Sequence, residues 1–318
     1  MNAAYFSHPN YFIGVAVDPF LLNSNVPYNK IVVEQFNNIT AENTFKAEYL
    51  HPIKDTFYFD NADMLANFCA SNNKRLHGHT LIWHKQLPEW IYNYKGSNND
   101  WETLFKKHIQ TIVSHFKGKV LSWDVVNEAF DENGELRESI WLKHIGSNYI
   151  EKAFKYAAEA DKDVLLFYND FNLESNPKKH NSVISYFNLL RKRGVKIDGI
   201  GVQMHININY PDISQIKSCL NEIVKSDYKI HLSELDISIN ANGKNNIPTQ
   251  EILNEQADFL KKILLHYKQI PNANQFGITF WGVNDANSWI RSFYNRIDYP
   301  LLFDDNYQAK PAYCALKE

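Results

Sequence analysis

Two glutamates sit where apolar runs of the chain stop. LSWDVVNE, Leu121 to Glu128, is rich in apolar and β-branched residues and ends on Asn127 and Glu128; a polar stretch of Asp131, Glu132, Asn133 and Gly134 follows. KIHLSELDI, Lys229 to Ile237, has the same design and carries Glu234. Runs this apolar suit parallel strands covered on both faces, and α/β barrels keep their chemistry at the C-terminal ends of such strands. Two carboxylates facing one another about 5 to 5.5 Å apart suit double displacement at a glycosidic bond. One attacks the anomeric carbon; the other protonates the leaving oxygen and then activates water. Their surroundings must keep one ionised and the other protonated. Alone, either dipeptide, Asn127-Glu128 or Ser233-Glu234, is better read as a capped helix start or a solvated carboxylate. Their occurrence at matched strand ends is what favours the pair.

Polar residues gather at the ends of the other runs and are scarce at their starts, as expected of a working face. Thr40, Glu42, Asn43 and Lys46 close one; His77, His79, Trp83, His84 and Gln86 another; then Tyr168, Asn169 and Asp170; Gln203 and His205; His231 and Asp236; Trp281, Asn284, Asp285 and Trp289. Trp83, Trp281 and Trp289 offer faces on which a sugar ring stacks, or else they pack the rim. Asn43, Lys46, Gln86, Asn127 and Gln203 are suited to sugar hydroxyls, and equally to satisfying buried backbone. The histidines allow a rival. His77 and His79 on one strand, with His205, His231 and Asp236 on later ones, are types that bind a divalent metal, but no HExxH or comparable spacing accompanies them. Asp236 shares strand parity with Glu234, so a Glu–His–Asp network through His205 would tune the glutamate instead.

Eight short β-rich runs must position these groups: Tyr11–Val17, Gln35–Glu42, Arg75–Trp83, Leu121–Glu128, Val164–Asp170, Ile197–His205, Lys229–Ile237 and Gln275–Val283. Their starts lie about 38 residues apart on average, against about 31 for a ~250-residue barrel, which leaves room for long loops. Helical stripes fill the gaps: Ala62, Leu65, Ala66, Phe68 and Cys69 after Asp60 and Asn61 as a capping pair; Leu104 to Phe116, closed by Gly118; Ile150 to Ala158; Val183 to Leu190 before Gly194; Ile252 to Leu264 before Pro271. Strand and helix in unbroken alternation predict an α/β fold, a single (β/α)8 TIM barrel, and with no linker tract the whole of 1–318 reads as one catalytic domain. The Asn-rich patches at Asn240–Asn246 and Ser97–Asp100 read as surface loops.

Composition narrows the partners. The 33 basic residues nearly balance 36 acidic ones, for a net charge of −3, so no field draws nucleic acid or an anionic membrane. An uncharged substrate fits better. Three scattered cysteines, Cys69, Cys219 and Cys314, suggest buried thiols and neither a disulfide framework nor a zinc ribbon. No apolar run is long enough to span a bilayer, and Met1 to Asn10 lacks the form of a signal peptide.

Several motifs together resemble glycoside hydrolase family 10: FNNITAEN at Phe36–Asn43, GHTLIWHKQLP at Gly78–Pro88, WDVVNEA at Trp123–Ala129 and SELD at Ser233–Asp236. YND at Tyr168–Asp170, GVQMH at Gly201–His205, FWGVND at Phe280–Asp285, Ser288–Trp289 and PLLFD at Pro300–Asp304 follow in the same order, from about Tyr11 to Ala315. The resemblance implies a retaining endo-1,4-β-xylanase on a (β/α)8 barrel, needing no metal or other cofactor. Its partners would be xylan and xylo-oligosaccharides. It makes Glu128 the acid/base and Glu234 the nucleophile, with His205 and Asp236 orienting and tuning Glu234. Glu42, Asn43, Lys46, His79, Trp83, Gln86, Asn127, Tyr168, Gln203, Trp281 and Trp289 would line the sugar subsites on the non-reducing side of the cut. Two positions depart from the pattern: Ala47 stands where the family often has Trp, and Ser233 where Thr is usual. Ala47 would loosen the packing behind Lys46. A β-1,4-glucanase or mannanase on the same barrel, and a glycan-binding barrel without catalysis, are the alternative readings. A monomer, secreted or periplasmic as a mature chain, is the expected form.

Overall fold

A computed structural model describes residues 11–244 and 247–317. The reading of Met1 to Asn10, and Asn245 and Asn246 of the expected Asn-rich loop, lie outside the described residues. Nine strands form among the described ones: β1 Phe12–Val17, β2 Asn38–Ala41, β3 Arg75–Ile82, β4 Ser122–Asn127, β5 Leu165–Asp170, β6 Gly199–Val202, β7 His205–Asn207, β8 Lys229–Ser238 and β9 Gln275–Phe280. They belong to one sheet, ordered β6-β5-β4-β3-β2-β1-β9-β8-β7, with β6 also paired to β8. With helices between successive strands, this is the expected (β/α)8 barrel; β6 and β7 share one of the eight places.

The chain packs as two compact units. Among the described residues, one holds those up to Ile39, Phe171–Ser175 and those from Val202; the other holds Thr40–Asp170 and Asn176–Gly201. In the second unit, β3, β4 and β5 run parallel, with Gly78 opposite Trp123 and Asn127 opposite Asn169. Gly78 is required there, because a Cβ would lie 2.1 Å from the Trp123 ring. Helix Asn98–His115 buries the expected stripe, including Leu104, Phe105, Ile109, Ile112 and Val113. Ser97–Asp100 is not a surface loop but this helix's start: Ser97 and Asp100 form a reciprocal capping box. The Asp60–Ser71 helix lacks the expected Asp60–Asn61 cap. Its N-cap is Phe59 with no side-chain bond, and Asp60 and Asp63 in the first turn face the positive end of the helix dipole instead.

In the first unit, β1, β9, β8 and β7 run side by side and parallel. The predicted run Gln35–Glu42 is shorter than expected, because Gln35 closes a helix, Val26–Gln35, started by the Asn25 cap and Pro27. That helix buries only Tyr28 and Val32, so it left little amphipathic trace in the sequence. The run Ile197–His205 breaks in two at Met204, whose φ of +63° takes the chain out of the extended region. Cys69 and Cys219 are buried as expected, whereas Cys314, on the last short helix, is exposed. Among the described residues no helix is long and apolar enough to cross a membrane.

Candidate active site

Strand ends in the second unit carry one polar cluster. Lys46, buried just beyond β2, donates to Asn43 Oδ1 at 3.0 Å and Gln86 Oε1 at 2.7 Å, and its ammonium lies 5.0 Å from the Trp83 ring centre. Gln86 also donates to Asn43, at 3.2 Å, so three of the predicted residues form one network. Glu42 and Asn43 stand half-buried beside it. The Asn127 amide is buried, 2.9 Å from the Asn169 amide and 3.3 Å from Trp83 Nε1. His79 is almost fully buried. Together with His77 it grips buried Asp124, at 2.9 and 3.0 Å. Burial would raise the Asp124 pKa, but the two imidazoles outweigh it and hold the carboxyl well below its ordinary range. Among the described residues, no group of three or more His, Cys, Asp or Glu is arranged to hold a metal ion.

Glu128 follows β4 and is almost fully buried. Its backbone has φ of +55°, the left-handed region that a non-glycine residue enters at a cost. Neighbours hold it there. Its N–H bonds to the Asn169 carbonyl at 2.9 Å, and its own carbonyl accepts from Arg137 Nε at 3.1 Å. Glu128 lines a small recess together with Trp83, His84, Asn127, Arg137 and Trp141. Lys85 approaches the carboxylate to 3.9 Å. His84 is pushed down to about 4 by burial and by the Arg137, Lys85 and Lys179 cations, so it is neutral at physiological pH. Behind this wall, Asp170 pairs with Lys179 at 2.8 Å, both fully buried. Burial raises Asp170 to about 6 against the pull of Lys179, and the Glu128 charge adds to the rise. Tyr168, expected to line a subsite, is wholly buried; its hydroxyl accepts from the Ala129 N–H at 3.0 Å and donates to Asp170. It supports the Glu128 turn from behind and is out of reach of a ligand.

The first unit carries the second cluster. β7 and β8 pair with His205 opposite Asp236, which sets the imidazole between two carboxylates. His205 Nδ1 lies 2.8 Å from Asp236 Oδ2, and its Nε2 lies 3.2 Å from Glu234 Oε2. Burial disfavours charge on His205, yet Asp236 and Glu234 overcome it and keep its pKa well above the ordinary 6.5. The ring is therefore an imidazolium at neutral pH, donating to both acids. The Glu234 N–H bonds to the buried Gln203 carbonyl at 3.0 Å. Trp289 Nε1 donates to Asp236 Oδ2 at 2.8 Å, and its ring lies 4.8 Å from His205. Trp281 is buried, with its ring edge-on to His205 at 6.4 Å.

Sequence reasoning passed over Arg137, Lys85 and Trp141. Arg137 lies in a loop nine residues beyond Glu128 and belongs to neither periodicity. Trp141, which donates to the Trp83 carbonyl at 2.7 Å, is inside a helix. Lys85 carried a signal, a charge between Trp83 and Gln86 in the GHTLIWHKQLP motif.

The sequence profile of glycosyl hydrolase family 10 matches residues 2–318. Exoglucanase XynX of Acetivibrio thermocellus is 40% identical over 97% of the chain, and endo-1,4-beta-xylanase A of Thermoanaerobacterium saccharolyticum is 41% identical over 96%. The chain spans only 29% and 27% of the lengths of these two relatives. Among solved structures, a mutant of an intracellular xylanase from Thermoanaerobacterium saccharolyticum, in complex with xylotetraose, superposes with a TM-score of 0.89 at 38% identity. The match covers 96% of this chain and 95% of that one.

Proposed function

Because the chain belongs to glycosyl hydrolase family 10, we propose that it is a retaining endo-1,4-β-xylanase, with Glu234 as nucleophile and Glu128 as acid/base. The observation that carries this assignment is the imidazolium of His205 between Glu234 and Asp236. A cation donating to Glu234 keeps it ionised and aimed, the state an attacking carboxylate needs. The xylotetraose complex of the related enzyme supports the substrate class.

In the first step a Glu234 oxygen bonds to the anomeric carbon while the glycosidic C–O bond breaks. Glu128 gives its proton to the departing oxygen. In the second, Glu128 takes a proton from water as the water oxygen bonds to that carbon, and the Glu234 ester bond breaks. The reading requires both carboxylates to meet one sugar. Lys46, Asn43, Gln86, Glu42, Asn127 and Gln203 would bond its hydroxyls, and Trp83, Trp281 and Trp289 would pack against it. Tyr168 and His79 enter the proposal as supports of Glu128 and Asp124. We take residues 1–318 to act as one catalytic domain and as a monomer. Its place of action would be outside the cytoplasm, where a polymer that cannot cross a membrane is met.

Digestion of linear xylo-oligosaccharides, with product lengths and anomeric form followed by NMR, tests the proposal. Internal cleavage with the β-anomer appearing first is expected; α-anomer first, or no cleavage, would overturn it. One relative's name, an exoglucanase, favours a second reading as a β-1,4-glucanase. Reducing-sugar release from purified xylan, glucan and mannan separates the two.

A further inference from the structure

Three aromatic rings lead from the support of Glu234 to the surface. Trp289, bonded to Asp236, opens the short helix Trp289–Phe293. Its ring centre lies 5.2 Å from Phe293 and 5.9 Å from Tyr294, and those two rings are 4.9 Å apart. Phe293 is 67% exposed and Tyr294 52%. A single exposed apolar side chain needs no explanation, but contiguous large ones mark a binding surface.

The flanking charges say what would bind. Arg291 makes two bonds to Asp305, at 2.7 and 3.1 Å, and Arg296 makes two to Asp298, at 3.1 and 3.2 Å. Both guanidiniums are neutralised by carboxylates, and Arg296 also lies over Tyr294 at 4.4 Å. The ledge is therefore apolar and electrically quiet, a match for the C–H face of an uncharged sugar and a poor one for an anion. The rings are tilted to one another by 55°, 49° and 81°, so they suit successive units of a twisted chain better than one flat molecule.

We propose that Phe293 and Tyr294 form an outer subsite for a xylose unit of the polymer, continuing beyond the sugar at Trp289. This rests on the functional reading above. The test compares Phe293→Ala, Tyr294→Ala and the double variant on xylohexaose and on an aryl xylobioside too short to reach the ledge. Each single change should lower kcat/KM on xylohexaose by roughly five-fold, through KM, and leave the aryl xylobioside unchanged. Phe293→Tyr should retain the parent value. Equal losses on both substrates, or none on either, would overturn the subsite. So would a parent that sediments as a dimer while the double variant is a monomer, since the patch would then be a contact between copies. A parent inactive on both substrates would instead sink the functional reading, and the subsite with it.

Discussion

Tyr168 accepts a hydrogen bond from the Ala129 backbone N–H at 3.0 Å, one residue beyond Glu128, and donates one to Asp170. Tyr168→Phe removes this link and leaves two buried polar groups short of a partner. Stability should fall by about 1–3 kcal/mol in denaturant melts. Activity should fall in kcat with KM little changed, because the hydroxyl positions the turn and touches no sugar. A rise in KM alone would return Tyr168 to the subsite lining.

Glu128→Gln keeps the shape of the acid/base and removes its proton. Steady-state hydrolysis of xylan should fall by about 10²–10⁴-fold, the usual contribution of general acid–base catalysis. Aryl glycosides with good leaving groups scarcely need the acid in the first step, so they should show a burst of released phenol followed by slow turnover. Near-full activity on xylan would remove Glu128 from the mechanism.

His205→Asn takes the positive charge from between Glu234 and Asp236. The rate should drop on the order of 10²-fold, the scale of losing one preorganised electrostatic partner. The repulsion left behind should move the acid-side fall of the pH–rate profile to higher pH. The raised pKa of His205 also fixes a sign for stability. Its contribution is complete below about pH 6.5 and is lost as pH rises from there through the folded value. The stability gap between parent and variant should therefore be widest in acid and close in alkali. Melting curves against pH would check this.

His51 and His108 act in the opposite sense. They are buried with their Nδ1 atoms 3.1 Å apart. Burial, and for His51 the neighbouring His108, lowers them to about 3 and about 4. Unfolded, both take protons below about pH 6.5, so stability falls as pH drops from there toward 4. The loss should be on the order of a few kcal/mol, at about 1.4 kcal/mol per unit of separation. His108→Gln, which keeps a donor for the Leu81 carbonyl, should show a shallower decline over that window, whatever its stability at pH 7. An unchanged slope would clear the pair of this role.

The strand ends were legible because an apolar run that stops on polar residues is a local pattern. Glu128 follows directly on β4, as that pattern suggests, whereas Glu234 and Asp236 lie inside β8, which runs on to Ser238, and His205 opens β7. Side-chain direction was not legible. Tyr168 lies on a strand that is covered almost throughout, and what its hydroxyl meets depends on packing that the sequence does not spell out. Ser97–Asp100 misled because Ser, Asn and Asp serve both loops and helix caps, and only the bond geometry separates the two. The Trp289–Asp236 bond joins residues 53 positions apart, a pairing that no spacing rule announces.

Glu128 sits at φ +55°, a conformation that Asn and Gly tolerate far better than Glu. Left-handed backbone at such a residue costs about 1–2 kcal/mol. Heat resistance and turnover therefore pull in opposite directions at position 128: Glu128→Asn should yield a protein that survives higher temperatures and hydrolyses xylan as poorly as Glu128→Gln. A selection for robustness alone would discard the acid.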